Sequence, residues 1–160
     1  MIKLKALGLL LLLISLSNVV FAQAKPELFS KIERVFKENE TAWKVERIYP
    51  GNTSDPLAEN IVFRSGTEQA AIDIRLWNRA IDAQQVFAGL IIAFDKTMGK
   101  RKVKSSLPKF GDESYIWTLP DSSAFPTFMF RKGRVYVSIF APSTEIAKRF
   151  AQHVIDQIEK

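Results

Sequence analysis

Two adjacent carboxylates, Asp112 and Glu113, are the residues that come nearest to a catalytic pair in this sequence. They follow Gly111 in a loop that enters a predicted strand, and carboxylates in such loops can share a proton or bind a hard cation. Adjacent strand residues point to opposite faces, so the two side chains do not readily converge on one atom. The favoured interpretation is a turn in which Asp112 accepts backbone N–H groups. A small carboxylate-dependent hydrolase is the alternative function.

The sequence has no other catalytic signature. His153 is the sole histidine, lies on the polar side of the last predicted helix and is interpreted as a solvated surface residue. There is no cysteine, and Ser114, Ser122 and Ser123 lie in loops without a Gly-x-Ser-x-Gly turn. Glycine-rich nucleotide-binding motifs do not occur either. We therefore predict no metal site and no cofactor.

A basic run is the strongest local charge feature, and it falls in a predicted loop. Such clusters bind nucleic acid when stacking aromatic residues lie nearby, but here no aromatic residue occurs between Lys100 and Phe110. A solvated loop is favoured, weak contact with anionic lipid or envelope polymers comes second, and we predict no nucleic-acid partner. The run consists of Lys100, Arg101, Lys102, Lys104 and Lys109.

A sheet face that mixes aromatic rings with charged groups is the predicted binding surface. Such a face can hold an elongated partner, an unknown protein or envelope ligand, by stacking and charge-assisted hydrogen bonds. The alternative is that the first helix or a second subunit covers it. The predicted partner face consists of Asp73, Arg75, Trp77, Met129, Arg131, Arg134, Tyr136 and Phe140.

Residues 126–160 predict a β-hairpin followed by a helix. Two alternating runs meet at Lys132 and Gly133, which we take as the turn because glycine adopts a positive φ without steric cost. Phe130 then faces Val135. The following helix has an apolar stripe centred on Phe150, which we expect to pack on the apolar face of the hairpin. That face consists of Phe128, Phe130, Val135, Val137 and Ile139.

The preceding residues predict two helices and four strands. Pro26 suits the first turn of a helix that ends at Lys37–Glu40 in the sequence. Strands are predicted at 43–49, where the alternation is impure, at 60–65 and 70–77 as a hairpin, and at 115–119. Between these groups, 79–98 predicts a long helix, and a strand at 85–94 is the competing interpretation. Its predicted stripe is Ile81, Phe87, Leu90, Ile91, Phe94 and Met98, widened by Val86 and Ile92.

These elements predict an α+β domain with one mostly antiparallel sheet of about six strands and three helices. The predicted order is α-β-β-β-α-β-β-β-α, because hairpins lie within each strand group and a helix separates the groups.

The first 22 residues have the pattern of a secretory leader. Lys3 and Lys5 precede an apolar run, and small residues allow cleavage after Ala22, or alternatively after Ala24. An uncleaved anchor at 4–21 is the competing interpretation. Cleavage leaves one domain, 23–160, without a transmembrane helix. The precursor charge is +6, and loss of the two lysines leaves 21 basic and 17 acidic residues, or +4, which is mild.

Two segments and a helix carry a resemblance to a class of known domains. They read Gly-Asp-Glu-Ser-Tyr at 111–115 and Phe-Arg-Lys-Gly-Arg-Val-Tyr-Val at 130–137. Over roughly its last third the chain resembles small exported bacterial α+β domains, including lipoprotein and sensor ectodomains. The resemblance implies a non-catalytic binding or accessory domain of the cell envelope, periplasmic or secreted. Because the chain lacks cysteine, lipid anchoring is not implied.

Overall fold

The computed structural model describes residues 26–51, 54, 56–98, 103–106, 110–118 and 125–158. The predicted leader at 1–22 lies outside these residues. In chain order the elements are α1 (Glu27–Asn39), β1 (Lys44–Pro50), β2 (Leu57–Ser65), β3 (Glu68–Leu76), α2 (Ala80–Met98), β4 (Val103–Ser106), β5 (Glu113–Thr118), β6 (Thr127–Lys132), β7 (Val135–Phe140) and α3 (Thr144–Ile158).

The strands form one antiparallel sheet in the order β1-β2-β3-β7-β6-β5-β4. The predicted α+β class, the three helices and the alternation of helices with strand groups are confirmed. The described residues add one short strand, β4, which pairs with β5 in a stretch that we expected to be a loop. The strands β1–β3 and β4–β7 are two meanders that meet where β3 pairs with β7.

One face of the sheet holds the larger core, and α1 and α3 cover it. The stripe of α1 buries Phe29, Ile32 and Phe36, and α3 buries Phe150 and Val154 beside it. The predicted apolar face of the β6–β7 hairpin belongs to this core, as do Ile61, Phe63, Ile72 and Ile74 from the other meander. The buried residues therefore follow the period of 3.6 that predicted the helices and the period of 2 that predicted the strands.

The opposite face is covered by α2 over β5, β6 and β7. Ala83, Phe87 and Ile91 of α2 are buried in this second cluster. The Trp117 indole donates a hydrogen bond of 2.7 Å to Asp95 of α2, which ties the helix to β5. The competing strand at 85–94 is thereby excluded. No helix in the described part of the chain has the length and apolar content to cross a membrane.

Three apolar residues of α2 do not lie where the sequence predicted. Ile81, Val86 and Ile92 are exposed rather than part of the buried stripe. The helix is apolar around most of its circumference, so its sequence pattern does not show which side meets the sheet.

The β6–β7 turn lies one residue later than predicted. Gly133 and Arg134 form it, and Phe130 pairs with Val137 instead of Val135. Gly133 has a φ of 54°, and its N–H donates a 2.8 Å hydrogen bond to the Asp112 carboxylate, which fixes the turn at this position. The shift moves the pairing by two residues along β7, so the buried and opposite faces keep their predicted members.

Candidate functional site

The two carboxylates that the alternative hydrolase function would use form a structural clamp on Arg131. The guanidinium donates 2.8 Å from Nη1 to Asp112 and 2.9 Å from Nη2 to Glu113. Arg131 is 8% exposed, and Gly133 supplies a further acceptor through its carbonyl oxygen at 3.0 Å. Asp112 also accepts the Gly133 N–H, so it stabilises the β6–β7 turn, 21 residues away, rather than the local turn that the sequence predicted. The clamp joins β5 to the β6–β7 turn, and the two carboxylates meet on one guanidinium rather than on one atom.

His153 is not the solvated surface residue that we predicted. Its side chain is 21% exposed, and its Nε2 lies 2.9 Å from the carboxylate of Glu40. The same carboxylate, 5% exposed, accepts bonds of 2.7 and 3.1 Å from Arg149. This cluster ties the end of α1 to α3, because Arg149 and His153 lie one turn apart on α3. Within the described ranges no group of three histidine, aspartate or glutamate side chains is placed to hold a metal ion.

The predicted partner face is not open where its aromatic residues lie. Trp77, Met129 and Tyr136 are at most 6% exposed, and all three pack beneath α2. The ring of Phe87 from α2 lies 5.9 Å from that of Tyr136. The second helix therefore occupies the surface on which we expected a partner to stack.

The remaining members of the predicted partner face are separated. Arg131 is committed to the clamp, and Arg134 lines a cleft of about 530 Å³ at the β6–β7 turn. Phe140 is 42% exposed at the other end of β7. Asp73 and Arg75 stay together on β3, joined by a 2.9 Å ion pair, and Arg75 lies 5.9 Å from the centroid of the Tyr136 ring. The structure thus brings Asp73 and Arg75 together beside Tyr136, which packs with Trp77 and Met129, whereas Arg134 and Phe140 lie apart from them.

The predicted anionic-surface run lies almost entirely outside the described residues. Lys104 belongs to β4, where its backbone pairs with that of Trp117. The others, Lys100, Arg101, Lys102 and Lys109, are not among the described residues.

Burial raises the pKa of the Asp73 carboxyl, although the Arg75 guanidinium opposes the shift. A carboxyl with a raised folded-state pKa stabilises the fold below its ordinary pKa, and this contribution disappears as the pH rises through the raised value. We expect the free energy of unfolding of Asp73→Asn to increase relative to that of the parent protein as the pH rises from acidic to neutral. Urea unfolding at both pH values measures the difference.

Asp82 supplies a control of opposite sign for this prediction. Hydrogen bonds from Arg79 lower the pKa of its carboxyl. Its contribution is present above the ordinary pKa and is lost as the pH falls through the lowered value. Asp82→Asn should therefore lose stability relative to the parent as the pH rises. If the stability of both variants relative to the parent changes in the same direction as the pH rises, the pH dependence does not come from the local environments of these two carboxyls.

A cleft of about 640 Å³ lies between α1 and the edge strand β1. Its floor contains Trp43, Val45 and Ile48, of which Val45 is 41% and Ile48 39% exposed. The apolar stripe of α1 faces the core, so the opposite flank of this helix forms the wall of the cleft. The result is an accessible apolar strip beside a polar helix face.

Three basic side chains surround this strip. Arg34 and Lys37 project from α1, and Lys44 begins β1. All three are exposed, and none makes a salt bridge with another described residue. Glu33 is the acidic residue in the lining, so the cleft has a positive charge excess. Cations beside an apolar floor can bind a ligand that carries a negative group and an apolar body.

The corner between α1 and β1 fixes the shape of the cleft. The chain turns with a 2.9 Å bond from Glu40 N to Phe36 O and a 2.8 Å bond from Trp43 N to Glu40 O. The buried Glu40 side chain is held by Arg149 and His153, as described above. Trp43 packs edge-on against Phe150 at 5.5 Å. The position of the cleft floor is therefore set by packing against α3, and the exposed side chains around the cleft do not determine it.

Sequence reasoning missed the cleft, although one signal was present. The impure alternation of the first strand arises from a bulge between Val45 and Arg47. Val45 pairs with Phe63 and Ile48 with Ile61, so the bulge places both side chains on the same face, three positions apart.

Comparison with known proteins does not assign this chain to a family. No family model and no curated protein sequence matches it. A solved structure of a GTP binding regulator from Thermotoga maritima is similar at 10% sequence identity, with a TM-score of 0.48. That similarity covers 82% of this chain and 90% of the other.

Proposed function

We propose that this chain is an exported, non-catalytic binding domain of the bacterial cell envelope, and that the α1–β1 cleft is its ligand site. The observation that carries the proposal is that three exposed cations, Arg34, Lys37 and Lys44, line an accessible apolar floor and make no salt bridge with another described residue. Leaving such a floor in water is unfavourable by roughly 25 cal/mol for each Å² of apolar surface. A ligand that covers the floor and neutralises the rim gains from both effects.

Export is the second part of the proposal, and it rests on the leader pattern of the first 22 residues. A protein that acts outside the cytoplasm without cysteine depends on its core for stability. The aromatic packing around Phe150 is part of that core and joins α1, α3 and the corner of the cleft.

Binding of anilinonaphthalene sulfonate, an anionic aromatic probe, tests the site. The sulfonate should contact the basic rim while the rings cover Val45 and Ile48. We expect Lys37→Glu to weaken binding several-fold, because an exposed ion pair contributes about 0.2–1 kcal/mol and charge reversal adds repulsion. A fluorescence titration gives the Kd.

Lys96→Glu is the matched control for this substitution. Lys37 and Lys96 each lie in the last turn of a helix, so reversal of either charge has a similar effect on the helix dipole. Lys96 lies on α2, away from the cleft, and its substitution should leave the Kd unchanged. Equal weakening by both variants would show that the probe responds to net charge, and the cleft would lose its proposed role.

A further inference from the structure

The strand that borders the cleft is an edge of the sheet. Among the described residues β1 pairs with β2 on one side, and no described strand pairs with it on the other. Every residue of β1 is exposed. The free side of an edge strand offers backbone N–H and C=O groups to a further strand.

Hollows lie on both faces of this edge and meet at Lys44. The α1–β1 cleft is on one face, and a hollow of about 300 Å³ that includes Ala42, Glu46 and Arg64 lies beside the start of β1. Side chains of a strand point alternately to its two faces. An extended segment along β1 is therefore the type of occupant whose side chains enter both hollows.

Basic side chains border both faces of the edge. Arg34 and Lys37 lie on the cleft side with the apolar Val45 and Ile48. On the other face, Arg47 pairs with Val62 and points away from the cleft floor, and Lys44, which pairs with Arg64, lines both hollows. Glu46 is bonded to Arg64 at 3.1 Å and to Gln69 at 3.3 Å, which offsets its negative charge.

We propose that the ligand of this site is an extended segment of a partner protein, with alternating acidic and apolar side chains, that adds to β1 as a further strand. The inference rests on the proposed function and specifies the ligand. Apolar side chains cover Val45 and Ile48, and acidic side chains on the other face contact Lys44 and Arg47. Backbone hydrogen bonds supply affinity and the alternate side chains supply selectivity. The bulge at Glu46 increases the local twist, so we expect the most regular pairing beyond it, at residues 47–49.

The charge pattern disfavours a second copy in the register that sets Arg47 opposite its own equivalent. An antiparallel pair of β1 strands centred on Arg47 places two guanidinium groups opposite each other. Like charges directly opposite destabilise a strand pair. An acidic partner removes this repulsion and pairs with the same groups.

A synthetic peptide that alternates valine and glutamate tests the proposal. We expect the full-length mature protein to bind it roughly tenfold more tightly than a valine–lysine peptide, with Arg47→Glu weakening binding because Arg47 lies on the face that meets the glutamates, and Lys96→Glu leaving it unchanged. N-methylation of alternate peptide amides, on the edge that faces β1, removes the donors for strand pairing. It should weaken binding roughly tenfold, and the unmodified peptide should slow amide hydrogen exchange at residues 47–49.

Other results would reject either strand addition alone or the proposed function as well. Equal binding of the N-methylated peptide, or no peptide binding while the sulfonate probe still binds the cleft, contradicts strand addition and leaves the proposed function intact. No binding of either probe contradicts the proposed function as well. Slow exchange in β1 that depends on protein concentration without peptide would identify a second copy as the occupant and reject the acidic partner.

Discussion

The substitution Phe150→Ala should lower the free energy of unfolding by about 3–5 kcal/mol, the usual cost of removing a buried phenylalanine ring. The Phe150 side chain is fully buried, and its ring lies 4.8 Å from that of Phe36 and 5.5 Å from those of Trp43 and Phe63. These residues come from α1, the corner before β1, and β2, so truncation leaves a cavity where three parts of the chain meet. Chemical denaturation followed by circular dichroism measures the loss.

A matched exposed position separates this packing effect from a general effect of apolar truncation. Ile92 on α2 is 69% exposed, and Ile92→Ala should change stability by no more than about 0.5 kcal/mol. Tyr136→Ala should cost about 3 kcal/mol or more because α2 buries the ring. Similar small losses for Phe150 and Ile92 would contradict the described core.

The substitution Gly111→Ala should cost about 2–5 kcal/mol, the sum of a left-handed backbone cost of about 1–2 and an overpacking cost of about 1–3 kcal/mol. Gly111 has a φ of 69°, and a Cβ there would contact the Arg131 carbonyl oxygen closely enough to displace the backbone. That displacement would disturb the 2.8 Å bond from Asp112 N to the same oxygen, and with it the clamp on Arg131.

Gly66→Ala isolates the backbone part of this cost. Gly66 lies in the β2–β3 turn with a φ of 58°, and a Cβ there would meet no heavy atom within 4 Å. We expect a loss of about 1–2 kcal/mol for this variant, because it carries the left-handed cost without overpacking. Equal losses at the two glycines in thermal or urea unfolding would show that the close approach at Gly111 does not constrain the fold.

The elements of the fold could be predicted because their periodicity reports what they bury. The α1 stripe and the alternation in β6 and β7 each place one face in the core, and the structure confirms those faces. The β6–β7 turn was displaced by one residue because its position depends on Asp112, which is 21 residues away from Gly133 in sequence. A local turn pattern at Lys132 and Gly133 does not contain that contact.

The candidate site could be predicted far less well, because exposed basic residues of α1 and exposed apolar residues of β1 form it only once the two elements lie side by side. Arg34 and Lys37 have the appearance of an ordinary solvated helix face, and their function as a rim depends on how α1 lies beside β1. The apolar Val45 and Ile48 belong to a strand whose bulge obscures its alternation. Conversely, the sequence placed Tyr136 on an open aromatic face, whereas α2 covers it in the structure. Which side of an apolar helix meets a sheet is decided by tertiary packing, not by its period.

The most direct test of the account is a map of where the anionic probe binds. Backbone amide chemical shifts of the isotope-labelled protein, recorded during titration with anilinonaphthalene sulfonate, report the contacted residues. We expect the largest shifts around Lys37 on α1 and around Trp43, Val45 and Ile48 at β1. Largest shifts around Asp73, Arg75 and Phe140, with the amides of the α1–β1 cleft unchanged, would contradict the proposed site.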